Sequence, residues 1–271
     1  VKSQLIGNKI KLPFPSVGAT ENILMASVLA KGETKISNAA REPEIEDLSN
    51  CLIKMGAKIE GHGTKTILVQ GVTNLKKAEH EIIADRIVAG TYIIAALMLN
   101  SALEINNFNT IYIKSLIDIL KKMGAKLKVS KKSIKVSKGS KLKSTSLSTS
   151  PYPGFPTDLQ AQLMSLMCIS DGKSKIKETI FENRFMHVPE LNRLGANITV
   201  EKDTATIIGN QTFKGAQVMA SDLRASISLV LAAMNANGQT TLNRVYHLDR
   251  GYENIEKTLG SLGVKIKRQK N

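Results

Sequence analysis

Met55-Gly56-Ala57-Lys58-Ile59 returns as Met123-Gly124-Ala125-Lys126-Leu127, as Leu194-Gly195-Ala196-Asn197-Ile198 and as Leu262-Gly263-Val264-Lys265-Ile266. The glycines stand 68, 71 and 68 residues apart. Upstream of each copy lies an apolar helix-like run that ends in a polar turn and a short strand: Asn22–Ile36, Thr91–Ile105, Gln160–Ile176 and Arg224–Leu242. A second helix follows, over Ile45–Met55, Lys114–Met123, Val188–Leu194 and Asn254–Leu262, and a Gly-led pair of strands closes the unit. Glycine at the end of that second helix permits the left-handed backbone that turns a helix into a strand. The expected hairpins include Ala57–Glu60 with Lys65–Val69 and Asn197–Glu201 with Thr204–Ile208, the latter turning at Lys202-Asp203 without the usual glycine. A period this long exceeds the ~20–50 residues of solenoid repeats. Repeated α/β units around common axes fit better, with helices inside and sheets outside or the reverse. Four copies sit awkwardly in one closed body, which favours three plus one.

Composition bounds what such a chain can do. It has 271 residues, 42% of them hydrophobic, with 19 glycines and seven prolines, so a packed core is expected rather than a disordered or collagen-like chain. Two cysteines, Cys51 and Cys168, build no disulfide framework and have no metal-ligand spacing around them. A reducing, cytoplasmic compartment is the default. The longest apolar stretch, Ile87 to Leu99, falls short of the ~20 residues that span a bilayer. The opening Val-Lys-Ser-Gln-Leu-Ile lacks the parts of a signal peptide, and the missing initiator Met points to a fragment. The formal charge is +15, with ten lysines between Lys121 and Lys143. Most alternate with apolar residues, as in Ala125-Lys126-Leu127-Lys128-Val129, the pattern of a strand with one wet face. With 4% aromatic residues and no Trp, base-stacking platforms are scarce. The reading is a solvated lysine surface, whose field would also suit a substrate of several negative charges.

Chemistry is concentrated at equivalent places in the repeats. At the entry to the first helix stand Asp85-Arg86, Pro156-Thr157-Asp158 and Asp222-Leu223-Arg224. Asp or Thr there is expected simply as an N-cap. Capping leaves the arginines unexplained, because a cation at a helix N-terminus is disfavoured unless an anion lies between. Arg86 and Arg224 therefore read as anion ligands. Between the strand and the second helix lie three dense polar loops: Ala40-Arg41-Glu42-Pro43-Glu44, Phe181-Glu182-Asn183-Arg184-Phe185-Met186-His187 and the stretch from Val245 to Tyr252. Equivalent loops of stacked units point the same way and would converge on one cleft. His187 and His247 are acid/base candidates by type, but apolar neighbours favour a structural role. Cys51 and Cys168 sit on apolar helical faces and read as buried, inert thiols. Together these features suit a phosphate-bearing, multiply anionic substrate, with one Asp as general base and no metal cluster.

Five motifs in order carry a family resemblance: Asn38–Ile45, Phe155-Pro156-Thr157-Asp158-Leu159-Gln160-Ala161-Gln162, Phe181–Leu191, Asp222-Leu223-Arg224-Ala225-Ser226 and His247–Glu253. They closely resemble the UDP-N-acetylglucosamine enolpyruvyl transferases (UDP-N-acetylglucosamine 1-carboxyvinyltransferases), over the chain from about Gly7 onward. The resemblance implies an α/β fold of the inside-out barrel type, two domains of three units each, helices inside, and an active site in the cleft between domains. Four units are then present: residues 1–84 as the last unit of the first domain and 85–271 as the second domain. The implied activity moves the enolpyruvyl group of phosphoenolpyruvate onto the 3-hydroxyl of UDP-N-acetylglucosamine in peptidoglycan precursor synthesis, with no cofactor and no metal. By motif, Asp158 resembles the base or proton shuttle near the sugar 3-hydroxyl, in contact with UDP-N-acetylglucosamine. Ser16, Val17 and Gly18 resemble contacts to the nucleotide, and Ile180 one to the uridine-sugar region. Arg184, Arg224 and Arg250 resemble the arginines on the phosphoenolpyruvate side, and Glu42, Asp85 and Asp222 acidic cleft positions.

The family's chain is longer at the front, where it carries a loop with a catalytic Cys or Asp, a Lys-Asn pair for phosphoenolpyruvate and another arginine. Neither Cys51 nor Cys168 matches that loop. The expectation is therefore weak UDP-N-acetylglucosamine binding at best, no turnover by this chain alone, association with the absent N-terminal part, and self-association of the fragment through the face that its absence exposes. Two rivals stand beside it. One is the related enolpyruvyl transferase of the shikimate pathway, which shares the fold but not the nucleotide-sugar motifs. The other is a non-catalytic half-enzyme module that binds anionic ligands or nucleic acid, for which the +15 charge speaks.

Overall fold

The structure, a computed structural model, describes residues 4–269. Residues 1–3, which open the stretch read against a signal peptide, and 270–271 lie outside the described residues. The chain divides into two compact units: residues 1–84 together with Pro151–Gly154, and residues 85–150 together with 155–271.

The first unit holds one repeat: β1 (Lys9–Lys11), α1 (Val17–Ser27), β2 (Glu33–Ser37), α2 (Pro43–Lys54), β3 (Lys58–Glu60) and β4 (Thr66–Gln70). The four strands form one sheet in the order β1-β2-β4-β3. Period-two alternation buries Thr34 and Ile36 of β2 and Ile67 and Val69 of β4, while Glu33 and Lys35 face water. The Ser16 hydroxyl caps α1 by accepting the Ala19 N–H at 3.3 Å. Leu24, Ile36, Ile45 and Ile67 are fully buried, whereas Met25 on α1 and Leu29 in the turn after it remain about half exposed, at 47% and 49%. This helix covers its sheet on one side and leaves an apolar flank uncovered within its own unit.

The second unit holds three repeats. The first runs through α3 (Arg86–Met98), β5 (Leu103–Asn106), α4 (Lys114–Lys122), β6 (Leu127–Val129) and β7 (Ser133–Val136). The next runs through β8 (Ser146–Ser148), α5 (Gln160–Ile169), β9 (Lys173–Lys177), α6 (Val188–Arg193), β10 (Asn197–Glu201) and β11 (Thr204–Ile208). The last consists of β12 (Gln217–Met219), α7 (Leu223–Met234), β13 (Thr241–Asn243) and α8 (Ile255–Ser261). Helices α3 and α7 both pack on α5, which is buried at every position from Gln160 to Cys168. A helix apolar around its circumference belongs at a centre. The open alternative thus resolves to helices inside and sheets outside. Their sheets run β5-β7-β6, β10-β11-β9-β8 and β12-β13.

Two features depart from the sequence reading. Three repeats begin with a three-residue strand that pairs in parallel across the following helix: β1 with β2, β8 with β9 and β12 with β13. Each is a β-α-β crossover, and a strand of three residues is too short to show a period of two. The last repeat, in turn, lacks its closing strands, since residues 264–269 pair with no strand among the described residues. There Arg268 forks onto Asp249 at 2.6 and 2.8 Å instead.

Close approach explains two glycines that the Gly-led motif does not include. A Cβ on Gly71 would stand 1.6 Å from the Ala30 carbonyl oxygen, and one on Gly209 would stand 1.8 Å from that of Ser170. These residues occupy the same place in the first and third repeats, where the last hairpin strand returns under the end of the first helix. Their N–H groups donate to Gly32 and Gly172 carbonyls at 2.9 and 2.8 Å. Gly209→Ala should therefore destabilise the fold by about 3 kcal/mol, lowering the thermal midpoint by roughly 6–12 °C. Gly260→Ala, with nothing within 4 Å of its Cβ in α8, should instead raise it slightly. Thermal unfolding of both variants checks the opposite signs.

Candidate functional site

The site of the second unit is built from helix ends. Since α3, α5 and α7 are apolar along their lengths, polar groups gather at their N-termini. Asp85 caps α3, its Oδ1 accepting from the Ile87 and Val88 N–H groups at 2.8 and 3.0 Å. Asp222 caps α7 in the same way, accepting from the Arg224 and Ala225 N–H groups at 2.8 and 3.0 Å. The plain capping expectation holds for both. It fails for Asp158, which lies in the 3-10 turn Thr157–Leu159 ahead of α5 and makes no cap.

The Asp158 carboxylate is gripped by two guanidinium groups. Arg184 Nη2 donates to its Oδ1 at 2.7 Å, and Arg224 Nη2 to its Oδ2 at 2.8 Å. Burial pushes the Asp158 pKa up, but the hydrogen bond and charge of Arg224, with the charges of Arg184 and Arg86, outweigh it and hold the group below the usual carboxylate value. Burial in turn depresses Arg224, and the bond to Asp158 more than restores it. The anion that an arginine at a helix N-terminus requires is therefore supplied by the protein itself. Arg86 is buried at 8% exposure and contributes its charge to the same carboxylate. Arg184 also lies over the Phe181 ring, its Cζ 5.2 Å from the centroid.

A polar network missed by the sequence reading backs this pair. The Thr91 hydroxyl donates to the Ile87 carbonyl at 2.9 Å and meets the Tyr252 hydroxyl at 2.8 Å and Gln162 Nε2 at 3.3 Å. With its one proton given to Ile87, Thr91 accepts from the other two. Gln162 Nε2 reaches on to the Asp158 carbonyl at 2.8 Å. Three repeats thus meet in one chain of bonds behind Asp158. The available signal was a Thr and a Gln inside otherwise apolar helical runs. Glu178 was missed as well, because a single Glu ending a lysine-rich strand has no pattern to mark it.

The remaining candidates are distributed as follows. Ser16, Val17 and Gly18 open α1, in the first unit. Glu42 in that unit accepts from its neighbour Arg41 N–H at 3.0 Å and from Tyr152 N–H at 3.4 Å. Ile180 is half-buried at the exit of β9, and Arg250 is exposed at the end of the 3-10 stretch Val245–Arg250. His187 is buried, and its Nε2 has no hydrogen-bond partner. Cys168 is buried, which pushes its thiol up to about 12, as an inert core thiol requires. Cys51 is half-buried rather than buried, because α2 is an amphipathic surface helix.

Solved structures place this architecture in a class: it is the enolpyruvyl transferase fold. The chain superposes on the enolpyruvyl transferase NikO from Streptomyces tendae with a TM-score of 0.90 at 26% identity, over 98% of this chain and 66% of that one. EPSP synthase from Acinetobacter baumannii matches with a TM-score of 0.75 at 19% identity, a likeness of fold alone. A profile of the EPSP synthase (3-phosphoshikimate 1-carboxyvinyltransferase) family matches residues 1–259, and the chain belongs to that family. Within it, the chain is 53% identical over 264 residues to a UDP-N-acetylglucosamine 1-carboxyvinyltransferase of Pelagibacter ubique, covering 97% of this chain and 63% of the relative. It is 51% identical over 266 residues to an enzyme of that description from Clostridium acetobutylicum, covering 98% of this chain and 64% of that one. The chain thus spans under two thirds of the length of these curated relatives.

Acid should expose the buried histidine. Burial drives the His187 pKa down, the Asp222 charge offsets only part of that, and the result is about 4. The unfolded chain, with a histidine near ~6.5, then binds a proton that the native state refuses. Stability is complete above pH ~6.5 and is lost as pH falls toward ~4, by an amount on the order of 3 kcal/mol. Urea unfolding of the parent and His187→Gln between pH 7 and 4.5 should show a shallower loss in the variant.

Proposed function

We propose that this chain is part of a UDP-N-acetylglucosamine enolpyruvyl transferase, acting in peptidoglycan precursor synthesis. The observation that carries the reading is the Asp158 carboxylate held ionised between Arg184 and Arg224, with Arg86 close by. An ionised carboxylate held by guanidinium groups is suited to take a proton when those cations turn to an anionic partner. Similarity to relatives named for that activity supports the substrate choice over the shikimate enzyme.

In this reading the 3-hydroxyl oxygen of the sugar bonds to C2 of phosphoenolpyruvate, its proton passes to Asp158, and the methylene carbon gains a proton from a donor. Loss of a proton from the resulting methyl group then expels phosphate and restores the double bond. Arg184, Arg224 and Arg250 receive the carboxylate and phosphate charge, and binding of that anion draws the two guanidinium groups away from Asp158. Ser16, Val17 and Gly18 take the nucleotide, and Ile180 flanks the uridine-sugar region. Asp85 and Asp222 serve the site through the helix ends they cap, and Glu42 through the Arg41 backbone. Residues 1–84 form the last unit of a first domain and 85–271 a second domain. The uncovered apolar patch of Met25 on α1 and Leu29 in the turn after it is where a preceding N-terminal part associates. Cytoplasmic residence fits a nucleotide-sugar substrate, and among the described residues no helix is long and apolar enough to cross a membrane.

Calorimetric titration of the chain with UDP-N-acetylglucosamine tests the reading. Weak binding is expected, reduced about tenfold or more in Asp158→Ala and Arg224→Ala, the scale of a lost charge-assisted bond. Shikimate 3-phosphate should not bind. Phosphate release from phosphoenolpyruvate should appear only once the preceding N-terminal segment is supplied. Full turnover by the chain alone would contradict the incomplete site, and absence of binding in both forms would favour a non-catalytic module.

A further inference from the structure

Glu178 has no part in the site described above, yet its carboxyl group collects four donors at 4% exposure. Its Oε1 accepts from the Ile180 N–H at 2.8 Å, the Phe181 N–H at 3.2 Å and the Thr149 hydroxyl at 2.8 Å. Its Oε2 accepts from the Thr157 hydroxyl at 2.9 Å. Thr149 is itself fixed, its hydroxyl accepting from the Thr179 N–H at 2.9 Å and its carbonyl from the Thr179 hydroxyl at 2.6 Å. A carboxyl group so deeply buried is tolerated only when its oxygens are satisfied, so it holds its donors in a tight geometry.

The partners define what is held. Thr157 immediately precedes Asp158. Ile180 and Phe181 begin the loop that carries Arg184, whose guanidinium lies over the Phe181 ring. One side chain therefore grips both arms that bring Asp158 and Arg184 within 2.7 Å of each other. The geometry points to Glu178 as a positioning residue, which sets the register of the Asp158 turn against the Arg184 loop and touches no substrate. This deepens the transferase reading and rests on it for the ligand, though the clamp itself has a readout that needs none.

Backbone amide exchange and a UDP-N-acetylglucosamine shift titration, both by NMR on the 271-residue chain, test it. Glu178→Met, which keeps length and removes both acceptors, should speed exchange at Ile180 and Phe181 about tenfold or more while the α5 amides stay unchanged. The same variant should weaken ligand binding about tenfold. Glu178→Gln keeps one acceptor oxygen for the two amides and should restore their protection. Thr157→Val should weaken binding with those amides still protected, and Thr157→Ser should behave as the parent. If Glu178→Met does not fold, Glu178→Asp, too short to reach both arms, carries the same expectation. Unchanged exchange at Ile180 and Phe181 would overturn the clamp, as would parental affinity in both Glu178→Met and Thr157→Val. If the parent binds no ligand, the transferase reading falls, and amide exchange alone decides the role of Glu178.

Discussion

The constraint on which the second unit depends is the burial of three helices on all sides. Residues Gln160 to Cys168 of α5 have no wet face, and α7 is buried from Ala225 to Ala232. A helix in that position has only its ends free for chemistry. The backbone N–H groups at those ends need acceptors, and Asp85 and Asp222 supply them. Charged side chains next to those caps are then brought together because the helices they start are packed together. The charged constellation is in this sense a by-product of how the core is filled.

Electrostatics completes the arrangement. Arg224 in the first turn of α7 would oppose the helix dipole if it stood alone. Asp158 cancels that opposition, and because it also binds Arg184 it is shared between two cations. Three arginines, Arg86, Arg184 and Arg224, stand against three carboxylates, Asp85, Asp158 and Asp222, so the charges at the helix ends balance. All ten lysines between Lys121 and Lys143 are exposed, as the alternating pattern of that stretch expects.

Buried polar bonds then make the site rigid. The Thr91 hydroxyl is saturated by Ile87, Tyr252 and Gln162, and Glu178 is saturated by Thr149, Thr157, Ile180 and Phe181. The Thr91 network joins three repeats and forms only once they have stacked, whereas the Glu178 network ties together segments of a single repeat. The neutral His187 belongs to the same layer, kept uncharged by the burial that fixes the Arg184 loop.

By itself the sequence determined the repeat, the helix-turn-strand order, the Asn197–Glu201 and Thr204–Ile208 hairpin and the motif residues. These are set by periodicity, capping and glycine placement, which act over a few residues. It also marked Arg86 and Arg224 as arginines in need of an anion, since dipole and side chain lie on one helix. Only the tertiary structure decided that helices are inside, that Asp158 is the anion, and that three-residue strands pair in parallel across β-α-β crossovers. The roles of Thr91, Gln162, Tyr252 and Glu178 were likewise invisible in the chain. Their partners lie in other repeats or across a loop, and a hydrogen bond between such segments leaves no local pattern. The exclusion of side chains at Gly71 and Gly209 has the same origin, because the carbonyls that exclude them belong to helix ends some forty residues upstream in each case.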